Sequence, residues 1–168
     1  MKSVKGFTLL EVMLVLVILA ATASLVMMSS GFSMGEQRSA TNTAERFNTQ
    51  LEYAWDWATY QGKPVGILMT EQGWQMLMME TNSKGKTLWV PLVNARKQIL
   101  NGEWHDSWLV TLQPQGVAGN SSPQIILLPD GEITPFTLQI VEREERTPLI
   151  TIQSSGVLPL AITNGEAS

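Results

Sequence analysis

The sequence of 168 residues contains no cysteine and only one histidine, His105. The absence of cysteine excludes a disulfide framework, a thiol redox motif and any metal site built on thiolates. A single histidine also excludes the usual histidine-rich zinc and acid–base sites, so we expect His105 to lie in a loop between strands. Because the sequence shows no catalytic constellation, we predict a protein that is not an enzyme and needs no cofactor, and no residues can be assigned to a metal site.

Charge is scarce as well. Charged residues make up 15 % of the chain, whereas an average soluble domain has roughly 25 %. The 11 basic and 15 acidic residues give a net charge of −4, which lacks the basic excess typical of nucleic-acid-binding proteins. The apolar share of 44 % indicates a folded chain with a core rather than a disordered one.

The hydrophobic residues are concentrated at the N-terminus. No charged residue lies between Glu11 and Glu36, and Phe7 to Met28 reads FTLLEVMLVLVILAATASLVMM. A helix of roughly 20 apolar residues crosses a bilayer. Lys2 and Lys5 precede this run, which predicts a cytoplasmic N-terminus and places the remainder of the chain across the membrane.

Three interpretations compete for this segment. It fits a secretory signal peptide, with a cleavage site at Ala21-Thr22-Ala23. It also fits a plain signal anchor. Neither explains Glu11, because a carboxylate in an inserting helix costs about 2–3 kcal/mol and benefits neither function.

The third interpretation rests on the stretch Lys5-Gly6-Phe7-Thr8-Leu9-Leu10-Glu11. It resembles the processing site of type IV prepilins and of the pseudopilins of type II secretion systems. The resemblance implies that the prepilin peptidase cleaves after Gly6, that Phe7 becomes the N-methylated first residue, and that Glu11 acts in assembly. Its carboxylate would pair with the Phe7 amine of a neighbouring subunit. The alternative is that Glu11 reaches the membrane surface or binds N–H groups of its own helix.

A second helical pattern follows a junction rich in small residues, Ser29 to Gly35, where we expect a bend or local melting. Together with the apolar segment it is predicted to form one helix of about 50 residues that ends near Gly62. Trp55 and Trp57 cannot share one side of a helix, so we expect one to pack on the head and the other to be available to a partner. One apolar face is predicted from residues spaced three and four apart, namely Ala40, Ala44, Phe47, Leu51, Ala54 and Ala58.

Beyond Pro64 the apolar period changes to two, which indicates β-strands. Pro129-Asp130-Gly131 is predicted as a turn, Ser154-Ser155-Gly156 as the turn of the last hairpin, and 164–168 as a polar tail. Seven or eight strands predict a pair of antiparallel sheets packed near the helix, an α+β fold. The predicted strands are 65–70, 74–80, 87–90, 107–113, 124–128, 136–142, 149–153 and 157–162.

The head also carries a narrower resemblance. The stretch from Ile125 to Gly131, followed by the strand at Phe136, and the closing stretch from Leu149 to Val157 are similar to the H-type minor pseudopilins of type II secretion, the GspH family. The resemblance implies a pilin fold. Its parts would be a leader removed from 1–6, a transmembrane and assembly helix at 7–29, a periplasmic amphipathic helix at 30–62, and a β-rich periplasmic head at 63–168.

This family resemblance implies a function. The chain would be a single-pass inner-membrane protein that joins a short periplasmic fibre, which helps to export folded proteins across the outer membrane. Its partners would be the other major and minor pseudopilins, the prepilin peptidase and the inner membrane, with the secretin and the exported protein as further candidates and no nucleic acid.

Two alternatives stay open. FimT/FimU-like minor pilins of type IV pili or DNA-uptake systems share this head, although they often carry a cysteine pair that this chain lacks. A secreted β-domain binding protein, cleaved after Ala23, is the alternative from a different class.

Overall fold

The computed structural model describes residues 9–114 and 122–165, without the side chains of residues 23–33. The chain divides into two compact units, Met1–Gln37 and Arg38–Ser168. Within the described residues it forms one helix and nine strands. They are α1 (Leu9–Gln61), β1 (Val65–Met69), β2 (Gly73–Thr81), β3 (Thr87–Pro91), β4 (Asn101–Glu103), β5 (Trp108–Gln113), β6 (Ile125–Leu127), β7 (Phe136–Glu142), β8 (Pro148–Ser154) and β9 (Ala161–Asn164).

The helix α1 is continuous over 53 residues, which confirms the predicted single helix of about 50 residues, and it runs through the small-residue junction. Its backbone stays helical from Ser29 to Gly35, so the prediction of local melting there is wrong. Each glycine costs a helix about 1 kcal/mol, but a break would leave backbone groups on both sides without their helical partners. The helix ends as predicted, because Gly62 adopts a φ of 63° and the N–H of Lys63 bonds to the carbonyl oxygen of Ala58 at 3.2 Å.

The apolar face of α1 forms the centre of the core in the unit Arg38–Ser168. All six residues predicted for this face are fully buried, which confirms the helical periodicity. Four of them are alanines, which leave room for the larger side chains of the buried strand residues. Phe47 and Leu51 fill the remaining space among the buried strand residues.

The first sheet has five strands in antiparallel pairs. Its main order is β3-β2-β1-β6, and β4 pairs with β2 along the same edge as β3. The predicted β1–β2 hairpin is confirmed. Strand β4 was not predicted. It places Gly102 opposite Trp74, where a Cβ atom at position 102 would lie 2.1 Å from the indole ring, so only glycine fits beneath this side chain.

The second sheet has four antiparallel strands in the order β5-β7-β8-β9. Its last strand differs from the prediction, because β9 begins at Ala161 instead of Val157. Val157 instead pairs with Glu132 in an isolated bridge, and Pro159 has no N–H to give to a ladder. The predicted polar tail also begins later, since Asn164 pairs with Ile150; residues 166–168 lie outside the described residues.

Phe47 joins the helix to both sheets. Its ring meets Trp74 of β2 edge-on at a centroid distance of 5.5 Å and Phe136 of β7 edge-on at 6.5 Å. Such edge-to-face pairs contribute about 0.5–1.5 kcal/mol each beyond the area they bury. The predicted pair of antiparallel sheets packed near a helix is therefore confirmed.

Candidate functional site

The predicted processing residues lie at the start of the chain. Gly6 and Phe7 lie outside the described residues, whereas Glu11 occupies the first turn of α1. Large apolar side chains surround Glu11 on every side of the helix, and each is at least 47 % exposed. They are Leu9, Leu10, Val12, Met13, Leu14, Val15, Leu16, Val17, Ile18 and Leu19. A helix that is apolar on all sides is stable only in apolar surroundings.

Among the described residues, no helix has both the length and the apolarity needed to cross a membrane. The predicted span of 7–29 reaches beyond these residues, because 7–8 and the side chains of 23–29 are outside them.

A polar clamp fastens α1 to the edge of the first sheet. The side-chain amide of Gln50 donates to the carbonyl oxygen of Asn101 at 2.8 Å, and Arg46 Nη2 donates to the same oxygen at 2.9 Å. Gln50 Oε1 accepts the indole N–H of Trp74 at 2.8 Å. The short strand β4 and the chain that leads into it are thereby held against the helix.

The two tryptophans near the end of α1 differ in burial. Trp57 is partly buried and packs on the core, which confirms that one of the pair contacts the head. Trp55 is 37 % exposed. It also contacts the head, because its Nε1 atom would lie 3.3 Å from a Cβ atom at Gly131.

The turn predicted at Pro129-Asp130-Gly131 is confirmed. Asp130 Oδ1 accepts the N–H of Glu132 at 3.1 Å, and Gly131 has a φ of 90°. Thr59 Oγ1 donates to the carbonyl oxygen of Pro129 at 2.9 Å, which ties the turn to α1. Among the described residues, no group of three or more His, Asp or Glu side chains is placed to hold a metal ion.

His105 lies in the loop between β4 and β5, as predicted. Its Nδ1 atom lies 2.7 Å from Ser107 Oγ, and its ring is 5.5 Å from the ring of Trp108. Two open cavities, of about 460 and 510 Å³, are each lined in part by His105. The imidazole is therefore part of a loop contact at the surface.

The charged stretch after β7 forms a tight turn. The carboxylate of Glu142 accepts the backbone N–H groups of Glu144 at 2.9 Å and of Glu145 at 2.5 Å. These hydrogen bonds lower the pKa of Glu142 below its ordinary value. Arg143 Nη2 donates to the carbonyl oxygen of Trp108 at 3.1 Å, which ties the turn to strand β5.

Residues 92–100 form a hairpin that was not predicted from the sequence. Val93 pairs with Ile99, and both side chains are exposed. The sequence around this hairpin is unusual in its charge, since no acidic residue occurs between Glu80 and Glu103. This stretch contains four basic residues, Lys84, Lys86, Arg96 and Lys97.

Comparison with known proteins agrees with the fold and with the N-terminal motif. The family described as "Type II transport protein GspH" matches residues 43–156. The chain belongs to this family. A second match, the "Prokaryotic N-terminal methylation motif", covers residues 1–27.

Relatives of the GspH family match almost the whole chain. "Type II secretion system protein H" of Escherichia coli K12 is 38 % identical over 160 residues, which is 95 % of this chain and 94 % of the relative. The protein of the same name from Klebsiella michiganensis is 30 % identical, covering 96 % and 97 %. That from Pseudomonas aeruginosa is 28 % identical, covering 93 % and 94 %.

Solved structures agree with this assignment. The solution structure of Escherichia coli GspH superposes with a TM-score of 0.64 at 33 % identity and covers 77 % of this chain and 90 % of that one. The minor pseudopilin EpsH of the Vibrio cholerae type 2 secretion system has a TM-score of 0.56 at 20 % identity, covering 74 % and 96 %, which supports the fold alone. The predicted pilin-like α+β fold and the predicted H-type family are both confirmed.

Proposed function

We propose that this chain is a minor pseudopilin of a type II secretion system, a subunit of a short fibre that helps to export folded proteins from the periplasm. The observation that carries the proposal is the start of α1. From Leu9 to Leu19 the helix presents apolar side chains on every side, with the single carboxylate of Glu11 in its first turn. This surface suits a bilayer or the helices of neighbouring subunits, and not water.

The proposal assigns a role to each segment of the chain. Residues 1–6 form the leader, 7–29 span the inner membrane and pack in the fibre, 30–62 continue as a periplasmic helix, and 63–168 form the periplasmic head. The N-terminus lies in the cytoplasm, because Lys2 and Lys5 are the only basic residues before Arg38.

Processing prepares the helix for assembly. The prepilin peptidase removes the leader after Gly6 and methylates the amine of Phe7. The amine is then a cation at the start of the helix, four residues before Glu11 in the sequence. The match to the methylation motif over residues 1–27 supports this step.

Glu11 then favours assembly over dispersal in the membrane. A carboxylate in the apolar region costs about 2–3 kcal/mol. A Phe7 amine from the adjoining subunit supplies the opposite charge, so the pair offsets part of this cost only when subunits meet. The contact therefore selects the position of one helix against the next.

The head acts by contact and performs no covalent chemistry. Its groups that could serve as acids or bases, such as His105 and Glu142, are engaged in the local contacts that shape their loops. The partners of the head are the other major and minor pseudopilins, and the secretin and the exported protein lie further along the same route.

The substitution Glu11→Ala tests the proposal. The full-length variant should reach the inner membrane in normal amount, but should fail to enter fibres and should reduce secretion. Glu45→Ala, which removes an exposed carboxylate from the periplasmic part of α1, is the matched control and should behave as the wild type. Normal fibre assembly by the Glu11→Ala chain would contradict the pairing.

Mass spectrometry of the mature protein tests the processing step. A methylated chain that begins at Phe7 is the expected product. A chain that begins at Ser24 would instead indicate an ordinary signal peptide. Such a chain would lack the membrane helix and could not be a subunit of the fibre.

A further inference from the structure

The hairpin of residues 92–100, which we call the arm, is fixed at its base and exposed beyond it. Leu92 and Leu100 are buried in the core, and the N–H of Leu100 bonds to the carbonyl oxygen of Leu92 at 2.9 Å. The N–H of Met76, on β2, bonds to the carbonyl oxygen of Leu100 at 2.8 Å. The clamp on Asn101 holds the next residue to α1. The arm therefore has a defined position on the head.

The arm presents apolar surface away from the core. Side chains alternate along a strand, so Val93 and Ile99 face the opposite way from their buried neighbours. Val93 is 38 % exposed and Ile99 is 47 % exposed, and the two are directly paired. A cavity of about 290 Å³ is lined by residues of the arm, such as Asn94, and by residues of α1, such as Tyr53.

The tip of the arm is a pre-formed turn. Asn94 Oδ1 accepts the N–H groups of Arg96 at 2.9 Å and of Gln98 at 3.0 Å, and the N–H of Asn94 bonds to the carbonyl oxygen of Gln98 at 2.9 Å. A turn held by its own asparagine loses little conformational entropy when a partner binds.

Charge at this tip is of one sign. Arg96 and Lys97 are both exposed, and the nearest acidic residues in the sequence are Glu80 and Glu103. Lys97 has a φ of 60°, a conformation that costs a lysine roughly 1 kcal/mol or more relative to glycine. The turn thus holds a cation at a position where glycine would be the less strained residue.

We propose that the arm docks on an acidic surface of another subunit's head in the same fibre. Val93 and Ile99 supply apolar contact, and Arg96 and Lys97 supply the charge that selects the partner. This inference rests on the function proposed above. A protein surface suits the arm better than a membrane, because recognition of anionic lipid takes clusters of roughly four to eight basic residues and the arm has two.

Photo-crosslinking in the secreting bacterium tests the proposal. The full-length chain carries a photoreactive phenylalanine analogue in place of Ile99, and mass spectrometry identifies the crosslinked peptide. The expected product joins this chain to another pseudopilin at a peptide rich in Asp or Glu. The double substitution Arg96→Glu with Lys97→Glu should lower the yield roughly tenfold, because both attractive contacts become repulsive.

The matched control changes the net charge by the same amount at another site between Glu80 and Glu103. Lys84→Glu with Lys86→Glu alters the β2–β3 turn and should leave the crosslinked yield within about twofold of the wild type. Circular dichroism of both double variants in detergent verifies that they are folded. Equal losses in the two double variants would overturn the proposal, as would crosslinks to lipid or to a second copy of this chain.

Secretion separates this inference from the function on which it rests. If deletion of the chain stops secretion but reversal of Arg96 and Lys97 changes neither crosslinks nor secretion, the docking site is wrong and the function stands. If deletion leaves secretion intact and Glu11→Ala has no effect on assembly, the proposed function itself is wrong.

Discussion

The indole N–H of Trp74 donates a 2.8 Å hydrogen bond to the side-chain oxygen of Gln50, which joins strand β2 to helix α1 beside the core. Trp74 is only 3 % exposed, so water cannot easily replace this acceptor. The amide of Gln50 also donates to the carbonyl oxygen of Asn101. One side chain therefore holds two segments of the first sheet against the helix.

We predict that Gln50→Leu destabilises the head by about 1–3 kcal/mol, because a buried N–H then lacks its partner. Urea unfolding of the full-length chain in detergent, followed by tryptophan fluorescence, measures the loss. Gln61→Leu, at the exposed end of α1, should change the free energy of unfolding by less than about 0.5 kcal/mol. Equal effects of the two substitutions would argue against the importance of the Trp74 contact.

The substitution Phe47→Ala should have a larger effect, about 3–5 kcal/mol, because it removes a fully buried ring that contacts both sheets. Thermal unfolding followed by far-ultraviolet circular dichroism tests this expectation. Tyr60→Ala on the same helix is the control, since Tyr60 is 87 % exposed. A loss no larger than that of the control would mean that Phe47 does not unite the core.

We predict that Gly131→Ala lowers the free energy of unfolding for two separate reasons. Gly131→Ala forces an alanine to a φ of 90° and brings its Cβ atom to 3.3 Å from Trp55. Gly85→Ala has a similar backbone conformation, with a φ of 75° and no neighbour within 4 Å. Gly131→Ala should therefore lower the free energy of unfolding more than Gly85→Ala, and adding Trp55→Ala should remove most of the excess. Persistence of the excess without the indole would contradict this explanation.

The turn after β7 should respond to acid. Because hydrogen bonds from Glu144 and Glu145 place the folded-state pKa of Glu142 below 4.5, its contribution to stability is present above pH 4.5 and is lost as the pH falls through the folded-state pKa. Glu142→Gln should reduce this loss, whereas Glu144→Gln should retain it. Amide exchange of Glu144 and Glu145, measured from neutral to acidic pH, reports the difference.

The helix and most of the strands could be predicted from the sequence because their side chains follow fixed periods of 3.6 and 2. The turn at Asp130-Gly131 was predictable because these residue types favour that backbone conformation. Strand β4 was not, since three residues carry no period and its place depends on Trp74, far away in the sequence. The arm could not be predicted either, because Val93 and Ile99 are joined by a single bridge.

The segment that follows β6 has a consequence for how subunits can join. Thr134 gives its N–H to the carbonyl oxygen of Ile126 at 2.9 Å, and its Oγ1 atom receives the N–H of Ile126 at 3.0 Å. Ile133 pairs with Leu127 beside it. The outer side of β6 is therefore already occupied by the protein's own chain, and a foreign strand cannot extend the sheet there. Subunits therefore cannot associate at this edge by strand pairing, which is how amyloid fibrils grow. Any contact between subunits here has to be made by side chains.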